Sequence, residues 1–441
     1  MTVPDHSAPP RPQSDVSSAV GLVGALGLCL WILFCHFYPE VAPALGLDPA
    51  RGRLTGPNAA LAGLLASAGP MVLWSVLVDK VHLRPSTGID WSLKRPLGDV
   101  MDISITKLAG LWATWTIIGC LYFLGRWYWN DFYAISMQVL ANVMVPVFFL
   151  SVPYVLWLDR NLVEPKDASW HFGAMLVGRE AYDPEKVRIH LRAWAVKGFF
   201  TAFMIAIVPA GFADLVGRDW SEFVHQPAML AGLLITMMFV FDEQIGTVGY
   251  ILTMKPLDAQ IRSANPHLAG WVAALMCYPP FQVMQGGGPI EYQINTRDWA
   301  YWLDGYPALM WLWAAMLVLL TAIYAWATVI FGIRFSNLTY RGVISNGPYA
   351  YTRHPAYLSK NAFWWLATLP FLVTSHSATD AVRNTFFLGC VSAIYYWRAR
   401  TEEKHLLGED AKYRDYHAWM QHHGAITSRL VRLGQMFRRR V

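Results

Sequence analysis

The chain has 441 residues, 55% of them hydrophobic and only 15% charged. Soluble proteins of this length carry about a quarter charged residues, and here the apolar excess comes in long blocks, which argues against a water-soluble enzyme of two or three domains. The formal net charge is +5, and Arg438, Arg439 and Arg440 stand just before the last residue. Beside so many apolar stretches, that basic tail points to anionic lipid headgroups and not to nucleic acid.

Residues 1–17, with Pro9, Pro10 and Pro12, lack the basic start and cleavage pattern of a signal peptide and read as a disordered cytoplasmic arm. Ten apolar blocks follow, at roughly 18–38, 59–78, 105–125, 134–157, 191–213, 228–252, 268–284, 308–331, 358–373 and 384–397. Most reach the roughly 20 residues that cross a hydrocarbon core. The last two are short enough to form a tight hairpin instead. The expected fold is therefore all-α, a polytopic transmembrane bundle of about ten spans with a C-terminal catalytic hairpin and an amphipathic tail. Residues 18–330 would form the membrane body and 331–441 a cofactor-binding region.

With the N-terminus inside, the inner segments hold 25 Lys and Arg and the outer segments 6. That bias places both termini in the cytoplasm. Cys29, Cys120, Cys277 and Cys390 sit in or near apolar blocks, and no paired spacing suggests a disulfide framework or a metal site. The oligomeric state is left open.

Within the body, Asp242 and Glu243 lie side by side inside the sixth block. Acids are costly at membrane depth and usually serve a site, so these two are candidates for the substrate cavity or a proton path. The competing expectation is a structural pair with Lys197 or Arg192. Pro146, Pro153, Pro209 and the Pro279–Pro280 pair are expected to kink or interrupt helices. Lys360 reads as an interfacial anchor.

The densest polar chemistry comes late. Residues 342–357 read GVISNGPYAYTRHPAY, a punctuated segment between two apolar blocks. Gly347 and Pro348 mark a turn, and Pro355 suits the first position of a helix. Such a loop brings Tyr349, Tyr351, Arg353, His354 and Tyr357 to the membrane surface, near orphan N–H groups suited to an anion. A second patch, YYWRARTEEKHLLGEDAKYRDYHAW, spans 395–419 and repeats Arg398, Glu402 and His405 at helical spacing. Taken singly, these are ordinary anchors and solvated charges. Together they would form a cup at the inner surface, provided the last two blocks fold back.

At these residues the chain resembles the membrane methyltransferase family of isoprenylcysteine carboxyl methyltransferases and phospholipid N-methyltransferases. The resemblance is carried by GPYAYTRHPAY at 347–357 and RARTEEKHLLGEDAKYRDY at 398–416, and it covers about 331–425. It implies S-adenosylmethionine as cofactor, bound from the cytosol, and an acceptor that enters from the bilayer. By resemblance Tyr349, His354, Pro355 and Tyr357 would line the cofactor pocket. Glu403 would close it, with Glu402 as its supporting partner, and Arg353 would lie nearest the reacting region. Arg353, His354 and Glu402 are thus the catalytic candidates. Family members are often half this length, so the extra upstream spans would build a different cavity for a lipid or amphiphilic acceptor.

S-adenosylmethionine carries an already activated methyl, so the protein's task would be alignment. A carboxylate acceptor needs no strong base, whereas an amine or hydroxyl would need one, with His354 or Glu402 the first suspects. Two other functions compete. An NADPH-dependent membrane reductase of the sterol type has comparable length, but no dinucleotide glycine fingerprint is present. A transporter or non-catalytic lipid-binding scaffold would account for the many spans and for Asp242 and Glu243.

Overall fold

Proline and short polar residues decide where the helices begin. Pro57, Pro184, Pro227, Pro307 and Pro355 stand in the first helical turn, where a missing N–H costs no intrahelical bond. Asp167, Asp183, Ser377 and Asp410 cap helix starts by accepting backbone N–H groups two or three residues on. The structure, a computed structural model, describes residues 10–178, 180–223, 225–369, 371–372 and 377–438.

Besides short helical turns, the helices are α1 (Ser18–His36), α2 (Pro57–Leu77), α3 (Leu97–Leu124), α4 (Asp131–Asn161), α5 (Ala168–Val177), α6 (Pro184–Gly217) and α7 (Pro227–Ile251). They continue as α8 (Leu268–Leu275), α9 (Pro307–Val329), α10 (Pro355–Thr368), α11 (Ala378–Glu409), α12 (Ala411–His423) and α13 (Thr427–Arg438). Extended pairing among the described residues is slight: β1 (Ser263–Ala264) runs antiparallel to β2 (Thr339–Tyr340).

Among the described residues seven helices, α1 to α4, α6, α7 and α9, are long and apolar enough to cross a membrane. The chain is a multi-pass membrane protein with an almost entirely helical fold. Seven differs from the ten apolar blocks for local reasons. Block 268–284 yields only α8, of 8 residues, which ends before Pro279 and Pro280, rings that cannot continue a helix. Helix α10 has 14 residues, or about 21 Å, well short of a hydrocarbon core of about 30 Å. Block 384–397 is the interior of α11, whose 32 residues include a strongly charged last third. Pro146 and Pro153 lie inside α4 and Pro209 inside α6, so none of them ends its helix.

The body is built by α1 on α2, α3 on α5, α6 on α7 and α7 on α9, and α9 in turn holds α10. Helix α6 is central: Val196, Phe200, Ala202 and Phe212 are fully buried. Helix α4 exposes Val145, Phe149 and Leu150, an apolar surface suited to lipid. Two close approaches depend on glycine. A Cβ at Gly21 would lie 1.9 Å from the Val329 carbonyl oxygen, and one at Gly173 would lie 1.9 Å from that of Thr106. All five cysteines, including the buried Cys35, are free.

After α9 the chain turns back under α7. Buried Arg341 donates to the carbonyls of Gly249, Leu252, Ala259, Ile333 and Phe335, and so satisfies groups left open at the end of α7. Arg334 pairs with buried Asp258 at 2.5 Å. Part of the expected N-terminal arm is fastened to this same linker. Asp15 accepts from the Val343 N–H at 2.6 Å and from Lys412 Nζ at 2.5 Å, and Ser345 Oγ donates to the Pro12 carbonyl at 2.6 Å. These contacts, with the Lys412 ammonium closest, hold the Asp15 carboxyl below its ordinary range despite burial, which pushes it up. The rest of the arm, residues 1–9, lies outside the described residues.

Candidate functional site

Three stretches of chain meet at one end of the bundle. The turn Gly347–Ala350 follows the linker, and Gly347 has φ +55°, a left-handed conformation that glycine adopts without steric cost. Pro355 then starts α10. Helix α11 returns past it, placing Arg398 and Glu402 one helical turn apart on one face, with Glu403 about 100° further round.

The expected meeting of the 347–357 loop with the acidic pair is present as direct contacts. His354 Nε2 lies 2.9 Å from Glu403 Oε1, and the Tyr357 hydroxyl donates to Glu402 Oε1. Arg353 Nε is 3.0 Å from Glu403 Oε1, and Arg400 donates to Oε2 at 2.7 Å. The His354 and Tyr357 rings are stacked, with centroids 5.7 Å apart. Arg398, almost fully buried, donates to Glu402 at 3.2 Å and to Asn337 Oδ1 at 2.6 Å, and lies over the Tyr357 ring.

These groups surround a cavity of about 190 Å³. Tyr349, Arg353, His354, Tyr357 and Glu402 line it, whereas Pro355 and Glu403 do not. Glu402 is on the wall, and Glu403, with only 4% of its side chain exposed, stands behind it and ties down Arg353 and His354. Burial pushes the Glu403 carboxyl up, but the hydrogen bond from His354 and the charges of His354, Arg353 and His417 outweigh it and hold it near 2. Burial keeps the Tyr349 and Tyr357 phenols far above their usual range, so both remain neutral. Burial also holds His405, another wall residue, down to about 4, so its ring is neutral at physiological pH.

Asp242 and Glu243 separate. Asp242 sits directly behind the wall and accepts from the hydroxyls of Tyr324 and Thr328, both of which line the cavity. Glu243 Oε2 is buried without a hydrogen-bond partner among the described residues and faces Gly211 on α6. The alternative pairing with Lys197 or Arg192 is absent: Lys197 donates to Thr253 Oγ1 at 2.7 Å, and Arg192 pairs with Glu185 at 2.7 Å.

The sequence reading missed a whole wall. Arg334, Asn337, Tyr340 and Arg341 come from the linker before the turn, Tyr278 follows α8, and Tyr413 and Tyr416 come from α12. The run IRFSNLTYRG at 333–342, polar and basic just after an apolar helix, was the available signal. Lys360 is also more than an anchor. It lines the cavity, its Nζ 4.9 Å from the Tyr324 ring centroid and 5.3 Å from that of Trp364.

Residues 308–408 match the model of the isoprenylcysteine carboxyl methyltransferase (ICMT) family. The match takes in α9, the linker, the turn, α10 and nearly all of α11. No curated protein and no solved structure matches the chain. What stands at this end of the bundle is a domain of a methyltransferase family set in a membrane-spanning helical body.

Proposed function

We propose, from a domain of that family embedded among membrane-spanning helices, that the protein transfers a methyl group from S-adenosylmethionine to a lipid or amphiphilic acceptor at the inner face of the membrane. The reading rests on the contacts His354–Glu403 and Tyr357–Glu402, which join two distant sequence motifs around one cavity.

The cavity residues fit the cofactor. Arg353 Nη1 is buried with no hydrogen-bond partner among the described residues, and it is free for an amino-acid carboxylate. Glu402 offers a carboxylate to an ammonium or ribose hydroxyl. The tyrosine faces of the wall suit a sulfonium and a flat base. When bound, S-adenosylmethionine supplies an activated methyl group. Tyr349, Tyr357 and His354 would hold it, and Pro355 would aim the open N–H groups of α10 at the pocket. Glu403 would fix His354 and Arg353 from behind, and Arg353 would orient the reacting region. In this reading residues 18–307 build the acceptor body, residues 308–425 bind the cofactor, and both termini are cytoplasmic.

The test is cofactor binding by the full-length protein in lipid nanodiscs. S-adenosylmethionine should bind, and Glu402→Ala should raise its Kd by about tenfold or more, the worth of one charge-assisted contact. Binding of NADPH in its place would support a reductase, and binding of neither would support a transporter or scaffold.

A further inference from the structure

Tyr324 and Thr328 lie one turn apart on α9 and both line the cavity. Tyr324 donates to Asp242 Oδ2 at 2.8 Å, and Thr328 donates to Oδ1. Each hydroxyl hydrogen is thus committed behind the wall, and only lone pairs remain for a ligand. This part of the wall accepts hydrogen bonds. A carboxylate would meet oxygen lone pairs there, while a group carrying a hydrogen would be held.

Lys360 refines the choice. Its ammonium stands beside the same ring, so a cationic amine would face a fixed positive charge. A hydroxyl that becomes negative as it loses its proton would be favoured by that charge. The neighbouring rings of Tyr278, Tyr357 and Tyr395 suit a planar partner. The other bases are partly engaged: Glu402 Oε1 already accepts from Arg398 and Tyr357, its second oxygen is assigned to the cofactor, and His354 Nε2 is on Glu403.

We propose that the methyl acceptor is the phenolic hydroxyl of an amphiphile. Tyr324 is the catalytic residue that takes its proton, and Asp242 is the positioning residue that receives Tyr324's own. This assignment rests on the methyl-transfer reading above. The phenolic oxygen forms a bond to the methyl carbon as the carbon–sulfur bond breaks, its electron pair staying on sulfur to give S-adenosylhomocysteine. The acceptor's proton passes to the Tyr324 oxygen while the Tyr324 hydrogen passes to Asp242, which later releases it to solvent. A phenol ionises near pH 10, as tyrosine does, within reach of such a relay.

The experiment uses the full-length protein in nanodiscs with methyl-labelled S-adenosylmethionine. The acceptors share one alkyl chain and differ in the headgroup: an alkylphenol, an alkylnitrophenol ionised at the assay pH, a fatty acid and a primary alkylamine. Label should enter the phenols and neither of the others. Asp242→Asn should lower turnover of the alkylphenol by about 10²–10³-fold, the usual contribution of a proton-transfer group, while cofactor Kd stays within about twofold. On the nitrophenol the loss should shrink below about tenfold, a dependence on acceptor acidity that a merely structural role would not produce. Asp242→Glu should recover part of the alkylphenol rate. Preferential labelling of the acid or amine, or no labelled phenol despite cofactor binding, would overturn the acceptor assignment alone, and an equal loss on both phenols would overturn the proton relay through Tyr324 and Asp242. Failure of the wild-type protein to bind S-adenosylmethionine would overturn the methyl-transfer reading and this assignment with it.

Discussion

Replacing Glu403 with Gln tests the support behind the cavity wall. Its carboxylate, 4% exposed, is shared by His354, Arg353 and Arg400. An ordinary glutamate ionises near 4.3, and this one is held near 2. The difference is just over two pH units at about 1.4 kcal/mol each, or about 3 kcal/mol of stability at neutral pH. Removing one partner of a buried ion pair independently leads to about 3–5 kcal/mol. The sign follows from the folded value being the lower one. The stabilisation is complete above about pH 5 and is lost as pH falls through 4 toward 2, with roughly half left at pH 3. Graded SDS unfolding in mixed micelles, followed by tryptophan fluorescence, measures the difference between wild type and Glu403→Gln. A loss of about 3 kcal/mol at pH 7, falling to roughly 1.5 at pH 3, is expected. A loss below about 0.5 kcal/mol at pH 7, or one that does not shrink in acid, would refute the assigned ion-pair role.

Two further outcomes check the fold. His405 is 2% exposed in its side chain and is held down to about 4 by burial, against about 6.5 when unfolded. Its contribution is present above about pH 6.5 and is lost by roughly 3 kcal/mol as pH falls to 4, and His405→Gln should flatten that part of the stability profile in the same unfolding assay. At Gly173 an added methyl would meet the Thr106 carbonyl at 1.9 Å, whereas at Gly98 it would meet nothing within 4 Å. Gly173→Ala should therefore cost about 1–3 kcal/mol. Gly98→Ala should be neutral or stabilising by up to about 1 kcal/mol.

Much of the architecture was legible because the bilayer acts on composition. Long apolar blocks must become helices where no water can satisfy the backbone, and among the described residues seven of them form helices long and apolar enough to span. Hydropathy reported equally on block 268–284, where the two prolines leave only eight helical residues. It also could not tell α10, held against α9, from a full crossing. Average polarity does not record length or what lies alongside.

The motifs at 347–357 and 398–416 disclosed the site because turn residues and helical spacing are local properties. Which acid faces the cavity was not local. Glu402 and Glu403 are adjacent, and about 100° of helix rotation relative to α10 decides that one lines the wall and the other braces it. Asp242 and Glu243 divide in the same way: Asp242 meets hydroxyls carried by α9, and Glu243 turns toward α6. The sequence by itself determined the long apolar helices, the proline that opens α10 and the two polar stretches, since each follows from the chemistry of neighbouring residues. Only the tertiary structure decided that the 333–342 linker, α9 and α12 complete the cavity, because those contacts join residues tens to hundreds of positions apart through helix packing that no local pattern encodes.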